Sequence, residues 1–327
     1  MVNFIARRLI AMVITLLFIS IIAFFLIELP PGSALDAELL RLRSRGGNLS
    51  LSQVRELEER FGVHDPWQEK YFKWVGGLFR GDFGYSFRYS REVGPLIAGR
   101  LGFSLLLAGT SLLFAWLVSI PLGVYSATHR NTIPDYIITT IQFVGVAVPE
   151  FLLALVLMVF AARFLGADVG GLFSRQYEAA PWSWGKVWDL MKHLWLPVIV
   201  VSAGSTAWLT RVMRANLLDV LNAQYVQTAR AKGLKENAVV WKHAVRNALH
   251  PLIMTLGGVL PALIGGEVIA SIVLNLPTAG PLFIEALRNQ DMYLAITFLM
   301  FTSVLLVIGN LLADLLLAWV DPRVRLE

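Results

Sequence analysis

The sequence predicts an all-α membrane protein with six membrane-spanning helices and a small helical cap between the first and the second. Of the 327 residues, 56% are hydrophobic and only 16% are charged, whereas soluble domains are about half apolar and a quarter charged. The apolar residues are gathered into six runs of roughly 20 residues or more, the length that a helix needs to cross a bilayer. These runs lack the alternation of barrel strands, so we predict helices, which satisfy their own backbone groups in lipid.

The apolar runs give the approximate bounds of the spans. The six predicted spans are Leu9–Leu29, Leu101–Tyr125, Ile137–Phe164, His193–Leu209, Leu252–Leu274 and Tyr293–Val320. The first run follows Arg7 and Arg8 and superficially resembles a signal peptide. It is too long for one and lacks a small-residue cleavage site, so we predict that it is a true span.

Lysines and arginines in the short loops predict the orientation. If the N-terminus is cytoplasmic, the cytoplasmic side holds twelve of these residues and the short outer loops hold five. Because Lys and Arg concentrate in cytoplasmic loops, we predict a multi-pass protein of the cell membrane with both termini in the cytoplasm. The net charge of +5 is then explained by the excess of Lys and Arg in the cytoplasmic loops. The expected partner is the lipid bilayer, and no nucleic-acid partner is expected.

The long outer loop after the first span shows helical signals. Ser50-x-x-Gln53 is a capping box ahead of apolar residues at helical spacing. Asp65-Pro66 opens a second predicted helix, which Gly76-Gly77 closes. Aromatic residues follow, and they indicate either a small extracytoplasmic cap packed on the helix ends or a docking surface for an external partner.

The motifs of common enzymes and metal sites are absent from the sequence. Without G-x-x-x-x-G-K-[ST], the chain is not expected to bind ATP phosphates itself. Its five histidines are scattered and it has no cysteine, so we expect no metal site and no cofactor in this chain. No histidine lies deep in a span to act as a base, which disfavours an intramembrane enzyme, and we expect no catalytic residue.

Four acidic residues lie within the predicted spans, namely Glu28, Glu150, Glu267 and Asp314. Pro149 precedes Glu150 and should kink the third span near its middle. These acids either make interhelical hydrogen bonds or, with Pro149, line a translocation path, the candidates for which are Glu150, Glu267 and Asp314. A proton-coupled secondary transporter is the alternative of a different class, although acids at separate depths do not form the chain that a proton relay needs.

The loop between the fourth and fifth spans, residues 218–251, is the most informative segment. Asn222 can cap a first helix, Gly233 fits the left-handed position that ends it, and a second helix is predicted from about Glu236 to Leu249. The segment is basic and predicts either an elbow that docks into a partner or a surface that binds anionic lipid. The apolar residues that would fill a partner's groove are Tyr225, Val226, Ala229, Leu234, Val239 and Trp241.

This loop resembles the EAA loop of ABC-importer permeases, in which a short helix docks into a cleft of the ATP-hydrolysing subunit. Gln227-Thr228-Ala229 precedes Gly233 at the family's spacing, although Gln227 and Thr228 stand where Glu and Ala are usual. The wider pattern is similar to the dipeptide and oligopeptide branch, with matches at Tyr225, Thr228-Ala229-Arg230-Ala231-Lys232-Gly233-Leu234, His243-Ala244, Arg246-Asn247-Ala248 and Pro251. The resemblance implies ATPase coupling by Tyr225, Gln227, Thr228, Ala229, Arg230, Ala231, Lys232, Gly233, Leu234, His243 and Arg246.

The resemblance extends over nearly the whole chain and is closest to the first permease of a pair. The matching motifs are Ala6-Arg7-Arg8-Leu9, Gly81-Asp82-Phe83-Gly84-x-Ser86, Pro149-x-Phe151, Leu276-Pro277-x-x-Gly280 and Asp321-Pro322-Arg323. It implies the fold of a type I ABC importer permease. The implied parts are residues 1–96 with the first span and the outer loop, 97–318 with the five-helix permease domain, and a cytoplasmic tail at 319–327.

The resemblance also implies a function and a set of partners. The chain would be a non-catalytic inner-membrane subunit that forms half of a translocation pathway for di- and oligopeptides and works by alternating access. Nickel chelates or oligosaccharides are the alternative substrates within the same importer class. The implied partners are a second homologous permease in a heterodimer, two ATPase subunits that bind ATP and Mg, and an extracytoplasmic substrate-binding protein.

Overall fold

The computed structural model describes residues 2–28, 54–55, 64–86 and 88–320, and these residues are mostly helical. The chain divides into two compact units that interleave along the sequence. The larger unit comprises Leu105–Pro277 with the segments Met1–Phe4 and Leu305–Glu327, and the smaller unit comprises Ile5–Ser104 and Thr278–Val304. The all-α class is confirmed for the described residues. The predicted domain divisions after residues 96 and 318 stay predictions.

The smaller unit contains most of helix α1 and the residues of the predicted cap. Its elements are α1 (Val2–Glu28), α2 (Trp67–Leu78), β1 (Tyr85–Ser86), β2 (Arg91–Glu92), the start of α3 (Val93–Thr128), α12 (Ala279–Arg288) and the start of α13 (Met292–Val320). The two strands pair antiparallel. α2 confirms the helix predicted after Asp65-Pro66, within the usual uncertainty of helix ends. Of the helix predicted after Ser50, only the helical residues 54–55 are described.

Aromatic packing joins α1 to α2 in the smaller unit. Phe24 on α1 is fully buried, and its ring lies within 5.4 Å of the Tyr71 ring and 6.4 Å of the Trp74 ring, measured between centroids. The hydroxyl groups of Ser20 and Tyr71 share a hydrogen bond of 2.8 Å. An apolar α1 face and a short aromatic helix therefore form one small core, as the outer-loop aromatics suggest.

The larger unit is built around one long helix, α7, against which α4, α5 and α11 pack. Its elements after α3 are α4 (Ile133–Ala147), α5 (Glu150–Phe164), α6 (Arg175–Glu178), α7 (Trp184–Leu221), α8 (Gln224–Ala231), α9 (Glu236–Ala238), a π-helical segment (Val239–Ala244), α10 (Val245–Ala248) and α11 (His250–Val273). α7 buries side chains along most of its length. It is therefore the scaffold on which the segment after it is held.

Three helices in the described part of the chain are long and apolar enough to cross a membrane. They are α3, α7 and the Met292–Leu317 part of α13, and α4 with α5 makes a fourth if the pair counts as one span. α1 carries a shorter apolar stretch at Ile10–Leu26. Helices long and apolar enough to span a membrane are thus confirmed, while the count of six stays a prediction.

The third predicted span is two helices rather than one kinked helix. α4 and α5 meet at a bend of 110°, so the kink predicted at Pro149 in the Ile137–Phe164 span is a complete break between two helices. Val148 is extended, with φ −81° and ψ 122°, because the proline ring disfavours the helical conformation of the residue before it. Pro149 is itself extended at ψ 138°. Two extended residues turn the chain much further than a proline kink does.

Candidate coupling elbow and membrane acids

The segment that connects α7 to α11, residues 222–249, is called here the elbow. α7 continues to Leu221, and the Asn222 side-chain amide donates to the Leu218 carbonyl over 3.0 Å at the end of that helix. Ala223 precedes α8 and makes no side-chain cap. The prediction that Asn222 caps the first elbow helix is therefore wrong, because its side chain bonds back to α7.

The corner of the elbow is a glycine turn after α8. Gly233 has φ +76°, which confirms the predicted left-handed conformation. Its N–H donates to the Arg230 carbonyl over 2.9 Å, and the Leu234 N–H donates to the Ala229 carbonyl over 3.4 Å. This pair of bonds is the Schellman motif, which satisfies the last carbonyls of a helix and reverses the chain direction.

The elbow has a first limb, α8, and a second limb, residues 236–249, on either side of the glycine corner. The second limb contains a π-helical segment at its centre. A helix is confirmed across most of the predicted Glu236–Leu249 range, but residues 239–244 have the wider π turn. Val239 and Val240 are buried, and so are Ala244 and Val245, each five residues further on. An α-helix, with 3.6 residues per turn, places residues five apart on different faces, whereas the wider turn brings both pairs to the same inner face.

The inner face of the elbow is part of the core of the larger unit. The buried members of this core are Ala115, Val124 and Ala127 of α3, Leu209, Met213 and Leu217 of α7, Val226, Ala229, Val239, Val240, Ala244, Val245 and Ala248 of the elbow, and Leu252 of α11. Val226, Ala229 and Val239 were expected to face a partner, and that expectation is wrong. A charge placed at Ala229 would disturb this core before it met another protein.

The outer face of the elbow keeps three large apolar side chains. Tyr225 is 44% exposed, Leu234 43% and Trp241 51%. Among the residues of the predicted coupling set, the exposed ones are Tyr225, Gln227, Thr228, Ala231, Lys232, Gly233, Leu234 and Arg246, Arg230 and His243 are half-buried, and Ala229 is buried. Most of the predicted coupling residues therefore lie on the outer face of the elbow, and Ala229 lies on its inner face.

Hydrogen bonds fix the outer side chains of the first limb. The Gln227 side-chain amide donates to the Leu221 carbonyl over 3.3 Å, and the Asn247 amide donates to the Tyr225 hydroxyl over 2.7 Å. The second bond joins α8 to the limb that follows the π segment. Asn247 belongs to the family-like pattern of the sequence but was not predicted as a coupling residue.

One ion pair spans the glycine corner. The Arg230 guanidinium donates to Glu236 with Nη2 at 2.7 Å from Oε1 and Nε at 3.2 Å from Oε2. The hydrogen bond and charge of Arg230 lower the pKa of Glu236 below its usual value. Because this pair is exposed, we expect little stability from it. It neutralises one arginine, while Lys232, Lys235 and Lys242 are exposed and lie within two residues of Leu234 or Trp241 in the sequence.

The membrane acids are brought together only in part. Glu150 begins α5, and a Cβ atom on Gly266 of α11 would lie 3.1 Å from both of its carboxylate oxygens. Glu267, the next residue of α11, is fully buried. The absence of a side chain at Gly266 thus lets α5 bring its acid against α11, close along the chain to Glu267. Asp314 is half-buried on α13, and Pro149 is exposed at the α4–α5 bend.

Nearly the whole chain matches models of known membrane components. Residues 119–326 match the family described as "Binding-protein-dependent transport system inner membrane component". Residues 1–108 match the model described as "Binding-prot-dependent transport system membrane comp, N-term". Both matches fall on segments where the sequence resembles ABC-importer permeases.

Curated relatives align over their full length. The chain is 37% identical over 327 residues to "Oligopeptide transport system permease protein AppB" of Bacillus subtilis, covering 99% of this chain and 100% of the relative. It is 30% identical over 326 residues to "Oligopeptide transport system permease protein OppB" of Haemophilus influenzae, with the same coverage. The OppB protein of Salmonella typhimurium is also 30% identical, over 327 residues and 99% of this chain. The chain therefore belongs to the family of binding-protein-dependent transport system inner membrane components.

Proposed function

We propose that this chain is the first permease subunit of an ATP-driven peptide importer. It would form half of the translocation pathway, with a second homologous permease forming the other half. The proposal is supported by the family membership and by full-length similarity to relatives named as oligopeptide transport system permease proteins. In this proposal the chain is non-catalytic and needs no cofactor, while two ATPase subunits bind ATP and Mg and an outer binding protein delivers the peptide.

The elbow carries the proposed coupling to ATP hydrolysis. Its inner face shares one core with α3, α7 and α11, and its outer face presents Tyr225, Leu234 and Trp241 beside basic residues. Large side chains of this kind anchor helices in partner grooves. A partner that binds the outer face would move the whole elbow together with α7 and α11, because the inner face of the elbow packs into the same core as these helices.

Movement of the elbow supplies the proposed alternating access. Closure of the ATPase subunits on ATP would shift the elbow, and the shared core would pass this displacement to α7 and α11. The pathway between the two permeases would then switch between inward-open and outward-open states, a two-state equilibrium biased at a distant site. Pro149, Glu150, Glu267 and Asp314 remain the proposed pathway residues.

The proposed placement is the cell membrane, with six spans and an extracytoplasmic cap. The apolar helices support membrane placement, and the distribution of Lys and Arg supports cytoplasmic termini and a cytoplasmic elbow. The family match with an inner membrane component agrees with this placement.

The test replaces Trp241 by alanine and measures ATPase recovery and peptide uptake. We expect Trp241→Ala to reduce the amount of ATPase that co-purifies with the tagged permease, because truncating a tryptophan at an interface costs about 2 kcal/mol or more. Trp184→Ala is the matched control, since Trp184 is 90% exposed and lies on the predicted outer side. It should leave ATPase recovery unchanged.

Other results would reject the proposal. Unchanged ATPase recovery and uptake in Trp241→Ala would exclude the elbow as the coupling surface. Uptake by the chain alone, driven by a pH gradient, would indicate a secondary transporter. Competition of labelled peptide uptake by nickel chelates or oligosaccharides would keep the importer class and change the substrate.

A further inference from the structure

A cavity of about 180 Å³ lies between α4 and α7 in the larger unit. Its lining residues are Thr139, Gln142, Phe143, Val146, Ala207, Arg211 and Arg214. Beside it the two helices approach closely, because a Cβ atom on Gly145 would lie 3.1 Å from the Ala207 Cβ. This close contact bounds the cavity on one side, while Phe143, Val146 and Arg211 of its lining are exposed.

Arg214 is held in a fixed position at the edge of this cavity. Its Nη2 and Nε atoms donate to the two carboxylate oxygens of Asp135 over 2.8 and 2.9 Å. Asp135 is only 2% exposed and also accepts a hydrogen bond from the Ser126 hydroxyl. The pair balances the charge of Arg214 and orients its guanidinium beside the cavity.

Arg211 lies three residues before Arg214, and therefore on the same side of α7. It is exposed, and it makes no ion pair or hydrogen bond with any residue that the structure describes. With Asp135 already paired to Arg214, the lining contains no acid. The cavity thus carries one arginine whose charge has no counterion among the described residues.

Gln142 gives a second and independent sign of a missing ligand. Its side chain is only 6% exposed, and its Nε2 atom is buried without a hydrogen-bond partner in the described part of the chain. Buried polar groups are nearly always hydrogen-bonded, and leaving one unpaired is unfavourable. A ligand oxygen in the cavity would accept from this amide.

Relative to the predicted spans, Arg211 lies beyond the end of a span, Gln142 lies within one, and Val146 lies about one helical turn further in. Arg211 follows the predicted end of the fourth span by two residues, so it lies near headgroup depth, while Phe143 and Val146 lie within the third predicted span. A phospholipid has this same order, with an anionic phosphate at the surface and acyl chains below. Arginine suits phosphate because its planar guanidinium binds two oxygens at once.

We propose that this cavity binds the phosphate of an anionic phospholipid from the cytoplasmic leaflet, through Arg211 and Gln142, with the acyl chain along Phe143 and Val146. This site is separate from the elbow and is not required by the proposed transport function. Its occupancy would fill the space between α4 and α7 and satisfy the Gln142 amide.

The test measures phosphatidylglycerol binding to the assembled transporter by native mass spectrometry, after titration into phosphatidylcholine nanodiscs. Arg211→Gln and Gln142→Leu should each weaken phosphatidylglycerol binding, the arginine variant by about tenfold or more because it removes a charge-assisted hydrogen bond. Arg130→Gln is the matched control, since it removes the same charge from an exposed site outside the cavity.

Thermal unfolding separates binding from folding. In lipid-free detergent, Gln142→Leu should be as stable as the unmodified protein or more stable, because it removes an unsatisfied buried amide. Phosphatidylglycerol binding that is equal in all variants would overturn the proposal. So would unchanged lipid binding together with a larger fall in the uptake of peptides that have a free carboxyl terminus than of amidated peptides, which would assign the cavity to the substrate carboxylate.

Discussion

Asp291 is an almost fully buried acid in the smaller unit, directly ahead of α13. It is 1% exposed and accepts a hydrogen bond from the Ser86 hydroxyl. Burial raises the pKa of this carboxyl above its ordinary value, and the hydrogen bonds from Ser86 and from the backbone of Leu294 and Arg88 offset only part of that shift. The site therefore favours the protonated acid more than the unfolded chain does.

A raised pKa in the folded state sets the sign of the pH dependence at Asp291. The stability contributed by its proton is fully present below the unfolded pKa and is lost as the pH rises through the folded pKa. We expect the contribution of Asp291 to thermal stability to increase as the pH falls through its raised folded pKa toward the ordinary value of 3.8, and Asp291→Asn to remove this pH-dependent contribution.

Thermal unfolding in detergent measures the effect of this substitution. Asp168→Asn is the matched control, because Asp168 is exposed. Equal pH dependence in Asp291→Asn and in the unmodified protein would show that Asp291 is not the group responsible.

At the scale of the element, the glycine corner of the elbow depends on backbone conformation alone. A Cβ atom on Gly233 would meet nothing within 4 Å, while its φ of +76° strongly disfavours residues that are branched at Cβ, such as valine. We expect Gly233→Val to destabilise the corner by about 1–2 kcal/mol. ATP hydrolysis should then continue with little peptide transport.

Gly233→Asn is the control for this substitution, because asparagine tolerates the left-handed conformation. The measurement is peptide transported per ATP hydrolysed in the reconstituted transporter. Normal coupling in Gly233→Val would mean that the corner does not transmit movement, whereas equal loss in both variants would indicate a contact of the glycine backbone with the partner.

Local chemistry explains which elements the sequence predicts well. Gly233 and Pro149 act through their own backbone, so their effects are visible in the sequence as a corner and a break. Asn222 has two possible partners, and only the length of α7 decides between them. The π turn at 239–244 depends on packing against other helices. The 3.6-residue periodicity of an α-helix therefore does not separate inner from outer residues there, and the burial of Val239 was not predicted.

At the scale of the whole molecule, the bend between α4 and α5 bears on the topology. The chain contains no cysteine, so single-cysteine variants can report which side of the membrane each loop faces. We expect Gln176→Cys, after α5, to react with a membrane-impermeant maleimide from outside the cell. Lys242→Cys, on the elbow, should react only after the membrane is permeabilised.

These two positions test whether α4 and α5 together cross the membrane. Both residues are exposed, so lack of labelling would reflect sidedness rather than burial. Labelling of Gln176→Cys only from the cytoplasm would mean that the bent pair re-enters on the side from which it came, and the predicted count of six spans would fall to five.

The fold class and the candidate segment follow from the sequence, while the arrangement of the whole does not. Apolar runs predict the positions of the helices because a helix pairs its own backbone N–H and C=O groups and needs no distant partner. The elbow is identified by its glycine, its basic residues and its resemblance to a known family. The interleaving of the two units depends on contacts between distant residues, as does the approach of Glu150 to Gly266, and neither leaves a periodic signal.

The division of the elbow into an outer and an inner face has a consequence for how such transporters diversify. Under the proposed function, exchanges at Leu234 or Trp241 would alter the surface offered to an ATPase subunit and leave the packing of Val226 and Val240 intact. The partner that is recognised could then change by ordinary surface substitution, with no change in the core that would receive the movement.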